Sequence, residues 1–96
     1  MRGQSLPLGE VLGTYLRESG LEKPVLETRV VKLWPELMGR TVARMTRSVE
    51  VVDGVLMVRV SSAALKAELF EIRFELVEKL NKAVGGNVLR DCRILG

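Results

Sequence analysis

Four glutamates, Glu68, Glu71, Glu75 and Glu78, recur at spacings of three and four residues. On a helix that spacing gathers them on one side, where carboxylates can act as general acids and bases or hold a hard cation. Lys79 and Lys82 stand four residues beyond Glu75 and Glu78, the order that favours surface ion pairs of about 0.2–0.5 kcal/mol each, so the same spacing also reads as a solvated helix face. Other reactive groups are scarce. The chain has no histidine, and Cys92 is its single cysteine, so no zinc set and no Cys–His or Ser–His nucleophile can be assembled. Neither a GxxxxGKS/T phosphate loop nor a GxGxxG turn occurs, which removes the usual devices for gripping nucleotides. Cys92 alternates with apolar neighbours and reads as a small core residue. No enzymatic activity, metal or cofactor is expected.

What remains is binding chemistry. The net charge is +3, and it is unevenly distributed. Residues 1–39 carry five basic and five acidic side chains, whereas between residues 40 and 66 Arg40, Arg44, Arg47, Arg59 and Lys66 face only Glu50 and Asp53. A basic region of this kind attracts phosphates in a strongly salt-dependent way. Tyr15, Trp34, Phe70 and Phe74 all fall on predicted helices, so a base-stacking platform on a sheet is not expected. They read as core anchors or protein contacts, with Phe70 and Phe74 the better contact candidates.

The elements that must position these residues follow from periodicity. Ninety-six residues with 47% hydrophobic content suit one small domain, with Met1 to Ser5 as a flexible N-terminus and residues 6–96 folded. Leu8, Val11, Leu12, Tyr15 and Leu16 predict a helix over about 6–19 that stops at Gly20. A second helix begins near Pro24 and buries Leu26, Val30, Leu33 and Leu37, with Trp34 at the border. Pro35 should kink or restart it before Gly39 ends it, and Arg40 to Met45 continues as a short helix. Alternation over Arg47–Val52 and Val55–Ser61 around Asp53-Gly54 predicts a hairpin. Its register pairs Val52 with Val55, Val51 with Leu56 and Val49 with Val58, putting Val49, Val51, Leu56, Val58 and Val60 on one face.

Ser61 or Ser62 caps a long third helix to about Val84, stopped by Gly85-Gly86. Leu65, Leu69, Ile72, Leu76, Leu80 and Ala83 form its sheet-facing stripe, and Ala63, Phe70, Phe74 and Val77 form a second one. Val88 to Leu95 supplies a third strand, parallel to the second by a right-handed crossover. The result is an α+β domain of order helix-helix-strand-strand-helix-strand, a three-stranded sheet packed against helices. A lone cysteine points to a reducing cytoplasm. Pro7, Gly9 and Glu10 interrupt the apolar run after Arg2, and no stretch approaches membrane-spanning length.

Several motifs occur in a telling order: Trp34-Pro35-Glu36-Leu37-Met38-Gly39, Thr46 leading the first strand, Asp53-Gly54-Val55-Leu56, Ser61-Ser62, Glu68-Leu69 and Leu80-Asn81. From about Leu6 to Leu95 the chain resembles the DciA-like family of bacteria. The resemblance implies a KH-like fold and a non-catalytic adaptor that associates with the replicative DNA helicase, together with affinity for DNA. The GxxG tetrad with which KH domains clamp nucleic acid is absent, and Gly85-Gly86-Asn87 reads as a helix stop. Nucleic-acid contact, DNA or RNA, is therefore expected at Arg40, Arg44, Arg47, Arg59 and Lys66, and partner contact at Phe70, Phe74 and Val77. Alternatives are a small nucleic-acid-binding protein without helicase involvement and a self-associating module, for which the second stripe would be a homodimer surface. Family members commonly carry an added basic segment, and with none here the contacts are expected from the folded surface.

Overall fold

The computed structural model describes residues 22–96, so the segment 1–5, expected to be flexible, and the helix expected over 6–19 lie outside the described residues. The elements are α1 (Glu22–Met38), α2 (Arg40–Met45), β1 (Thr46–Val52), β2 (Val55–Val60), α3 (Ala63–Glu71), α4 (Arg73–Val84) and β3 (Asp91–Leu95). The sheet has the order β1-β2-β3, antiparallel in its first pair and parallel in its second. From the second helix onward this is the expected KH-like α+β order, with the long third helix in two pieces.

The hairpin has the register read from the sequence, with Val52 opposite Val55, Val51 opposite Leu56 and Val49 opposite Val58. Asp53 and Gly54 both take positive φ, 55° and 78°, as a two-residue turn matched to strand twist requires. The loop before β3 seals that turn: the Arg90 amide donates to the Gly54 carbonyl at 2.7 Å and its Nε to the Asp53 carbonyl at 2.8 Å. β1 begins at Thr46, one residue early, because Thr46 pairs with Val60 and Ser48 with Arg59, leaving Arg47 as an unpaired bulge.

Leu56, Val58 and Val60 of β2, with Cys92 and Ile94 of β3, form the sheet side of the core. Val30 and Trp34 of α1, Leu65 and Leu69 of α3, and Leu76, Leu80 and Val84 of α4 cover it. Three details of the expected stripes differ. Trp34, read as a border residue, is 1% exposed at the centre of the core, whereas Leu37 is 39% exposed. At 100° per residue Trp34 lies one turn beyond Val30, and the indole supplies the volume that spans the distance from α1 to the sheet. Val84 takes the last buried position in place of Ala83, which is exposed. Helix α1 continues through Pro35 without restarting and ends before Gly39, whose φ is 90°.

The third helix is broken at Ile72. The first piece packs on β2 and β3, and the second on β3 and α1. At the break the Ile72 amide bonds the Leu69 carbonyl at 3.2 Å, a tighter turn, before Leu76 resumes helical bonding to Ile72 at 2.9 Å. The Phe70 carbonyl, freed by the break, accepts from Arg73 Nη1 at 2.7 Å.

β3 is also shorter than expected. Val88 and Leu89 are buried but precede the strand, held by the side chain of Asn81. Its Oδ1 accepts from the Val88 and Leu89 amides at 3.1 and 2.9 Å, and its Nδ2 donates to the Leu89 carbonyl at 2.9 Å. Gly85, at φ 79°, ends α4 just below this clasp. Asn81→Ala strands two amides and a carbonyl and should lower stability by about 2–3 kcal/mol at about 1 kcal/mol per bond. Urea denaturation with an unchanged m-value checks this, and Asn81→Asp, which keeps both accepting contacts, should lose less.

Candidate nucleic-acid and partner interfaces

Two differently charged surfaces are built on α3 and its neighbours. The first lies where α2 meets β1. The Ser61 amide and hydroxyl both donate to the Met45 carbonyl, at 2.8 and 3.2 Å, which ties the α2–β1 junction to the start of α3. Ser62 caps α3 by accepting from the Leu65 amide at 3.2 Å. The bulged Arg47, Ser61, Ser62, Lys66 and Gly96 line a cleft of about 300 Å³. Arg59 Nη1 donates to the Gly96 carbonyl at 2.9 Å instead of reaching diagonally toward Glu50. A Cβ built on Gly96 would stand 3.7 Å from Lys66 Nζ.

Three of the five predicted basic residues, Arg47, Arg59 and Lys66, are thus gathered at one end of the sheet. Arg40 and Arg44, one turn apart on α2, are exposed but do not line the cleft. No Asp or Glu side chain lines it. Asp53 sits at the hairpin tip, the length of β2 away, about 20 Å and so beyond the Debye length of about 8–10 Å in physiological salt. Of the hairpin's two acids, Glu50 lies on β1 three residues from Arg47, about 10 Å away, and offsets part of the charge of the three cations, whereas Asp53 adds little; the start of α3 contributes its partial positive charge.

The second surface is the outer side of the Ile72 break. Phe70 is 54% exposed and Phe74 61%. The Arg73 guanidinium carbon lies 3.9 Å from the Phe70 ring centroid and 4.5 Å from that of Phe74, within cation–π range of both. Val77, the third predicted contact, is partly buried and packs on the core. Arg73 was not singled out by sequence reasoning: its spacing of three from Phe70 suits a helical pair, but the adjacent Phe74 would not face it on a regular helix, and both rings come within reach only at the break. Around it, Glu68, Glu71, Glu75 and Glu78 are all exposed, and among the described residues no cluster of potential ligands that could hold a metal is found.

Cys92 is 2% exposed, as expected of a core residue. Burial, reinforced by the neighbouring Asp91 carboxylate and opposed by Arg73, pushes its thiol up to about 11. An aromatic disulfide reagent at neutral pH should accordingly leave native Cys92 unreacted and label it at once in denaturant. The sign of the pH effect also follows. The contribution of the neutral thiol to stability is complete below the ordinary value near 9 and is lost as pH rises through about 11. Cys92→Ala should remove that part of the alkaline stability slope.

A family model described as Dna[CI] antecedent, DciA, matches residues 7–94. A UPF0232 protein of Mycobacterium tuberculosis is 31% identical over 90 residues, which are 94% of this chain and 48% of the relative. UPF0232 proteins of Rhodococcus jostii and Corynebacterium glutamicum are 27% and 28% identical, covering 94% and 93% of this chain and 48% and 50% of their own lengths. The chain spans about half the length of the curated relatives it matches. Among the described residues no helix is long and apolar enough to cross a membrane.

Proposed function

Because the chain belongs to the DciA family, we propose that it is a non-catalytic adaptor that binds the replicative DNA helicase in the bacterial cytoplasm and contacts DNA through its basic end. The observation that carries this reading is the family match across residues 7–94. The structure supports it by offering two surfaces with separate chemistries on adjoining turns of α3. Lys66 lines the basic cleft, and Phe70, one helical turn further on, belongs to the aromatic surface. In this arrangement phosphates meet Arg47, Arg59 and Lys66, with Arg40 and Arg44 as outlying contacts, while the helicase meets Phe70, Phe74 and the edge of Val77. Phosphate contacts of this kind position a partner without reading sequence, so little preference among DNA sequences is expected.

Sizing chromatography of the chain with the purified replicative helicase of the same organism tests the reading. A shared peak at micromolar concentrations is expected. Separate elution at those concentrations rules out the helicase role. The gathered arginines favour one second reading, a nucleic-acid-binding protein that acts without the helicase. It predicts separate elution together with salt-sensitive binding of single-stranded DNA or RNA.

A further inference from the structure

The side of the sheet turned away from the core carries a pattern that complements itself. Alternation sends Leu56, Val58, Val60, Cys92 and Ile94 into the core, so the residues between them point the other way. There the two strand registers stack three rows, Ser48–Arg59–Leu95, Glu50–Met57–Arg93 and Val52–Val55–Asp91. Val52 is 52% exposed, Val55, Met57 and Leu95 are half-buried, and none of the four packs on the core. The charges on this face cancel, Glu50 and Asp91 against Arg59 and Arg93, so as a whole it does not draw a polyanion. Glu50 and Arg93 stand on either side of Met57, about 10 Å apart. Among the described residues neither side chain has a hydrogen bond or ion pair.

We propose that this open sheet face binds a second copy of the chain about a two-fold axis parallel to β2. That axis lays β1 of each copy over β3 of the other and keeps like rows together, to within the about 30° of aligned sheet packing at a spacing of about 10 Å. Glu50 of each copy then meets Arg93 of the other, while Met57 meets Met57 and Val55 meets Val55 on the axis. An axis running across the strands would instead set Glu50 against Glu50. Asp91, brought opposite Val52, already accepts from the Cys92 amide at 2.7 Å. Arg59, the one cation brought opposite itself, is drawn to the Gly96 carbonyl at the end of the sheet. Three strands wide and five residues tall, the face is roughly 15 Å on a side. That is less than the about 800 Å² each partner gives to a standard interface, so a weak, reversible dimer is expected. The inference stands apart from the helicase reading, because it concerns the chain alone.

Sedimentation equilibrium of the purified chain, from low micromolar to near-millimolar concentration, tests it. The native chain should pass reversibly from monomer to dimer. Met57→Glu sets two carboxylates together on the axis and should abolish association. Glu50→Arg should weaken it at least about 10-fold by facing like charges. Glu50→Arg/Arg93→Glu restores the pairs at the native net charge and should recover most of the affinity, which damage to the fold could not do. For the same reason an equimolar mixture of Glu50→Arg and Arg93→Glu should associate more tightly than either variant alone. A monomer at every concentration overturns the proposal, and if single-stranded DNA then shifts the NMR signals of Met57 and Arg93, the face belongs to nucleic acid. A dimer that survives Met57→Glu, or a double charge reversal that recovers nothing, overturns it as well, since another surface then joins the copies.

Discussion

Replacing Trp34 with alanine should lower the stability of the domain by about 3–5 kcal/mol, the usual cost of emptying a large aromatic site. For a domain of this size that is a major part of a total of about 5–15 kcal/mol, and thermal unfolding should fall by roughly 15–30 °C. The effect goes beyond lost volume. Trp34 Nε1 donates to Thr46 Oγ1 at 3.1 Å, and that hydroxyl donates to the Val42 carbonyl at 2.7 Å. One short relay therefore joins α1, the start of β1 and α2. Trp34→Phe keeps much of the apolar volume and should cost only about 1–2 kcal/mol, the share of the hydrogen bond and a small cavity. Similar losses for the two variants, read by differential scanning calorimetry, would show that the relay matters more than the packing.

The second large effect concerns the basic end. Arg47→Glu/Lys66→Glu removes two cations from a cleft lined by no Asp or Glu side chain and adds two anions beside Arg59. Affinity for single-stranded DNA at low salt should fall by at least 100-fold, and the slope of log affinity against log salt should shrink by about 1.4, at about 0.7 for each phosphate no longer neutralised. Arg40→Glu/Arg44→Glu changes the net charge by the same amount, but on α2 outside the cleft, and should have a distinctly smaller effect. Fluorescence anisotropy across a salt series reads both quantities. Equal losses from the two pairs would mean that overall charge, and not the cleft, governs binding. All four residues are exposed, so thermal melts of both variants should stay close to the parent and exclude unfolding as the cause.

The hairpin was legible because two local signals agree. Asp53-Gly54 specifies the turn, and the alternation of Val49, Val51, Leu56 and Val58 selects the same pairing. The parallel third strand followed from the length of the crossover. By contrast, nothing near Ile72 announces a break: no proline or glycine is present, and the apolar stripe runs on across it. The two pieces meet different elements, α3 the strands β2 and β3 and α4 the strand β3 and helix α1, which is tertiary information. The depth of Trp34 is of the same kind, since its periodicity allows either a border or a central position until the gap to the sheet is known. The candidate residues divide likewise. Sequence could list Arg40, Arg44, Arg47, Arg59 and Lys66 as a basic region. Only the bulge at Arg47 and the bond from Arg59 to Gly96 bring three of them to one end. Asn81 stood out as part of a motif, while its grip on Val88 and Leu89 depends on a loop path that the local sequence does not encode.

The pairing of β2 with β3 has a kinetic consequence. The hairpin joins neighbours in sequence and should zip within about 1–10 μs. The parallel pair, Val55 with Asp91 through Arg59 with Leu95, requires the whole intervening crossover to be ordered first, which makes it the slow, high-contact-order step of folding. Val88, Leu89, Cys92 and Ile94 enter the core together with that step. Until it occurs, β2 has a partner on one edge only and presents unpaired main-chain groups on the other. A second copy caught at the same stage could supply its own β3 there, so refolding at high concentration should yield exchanged dimers that refolding at low concentration avoids.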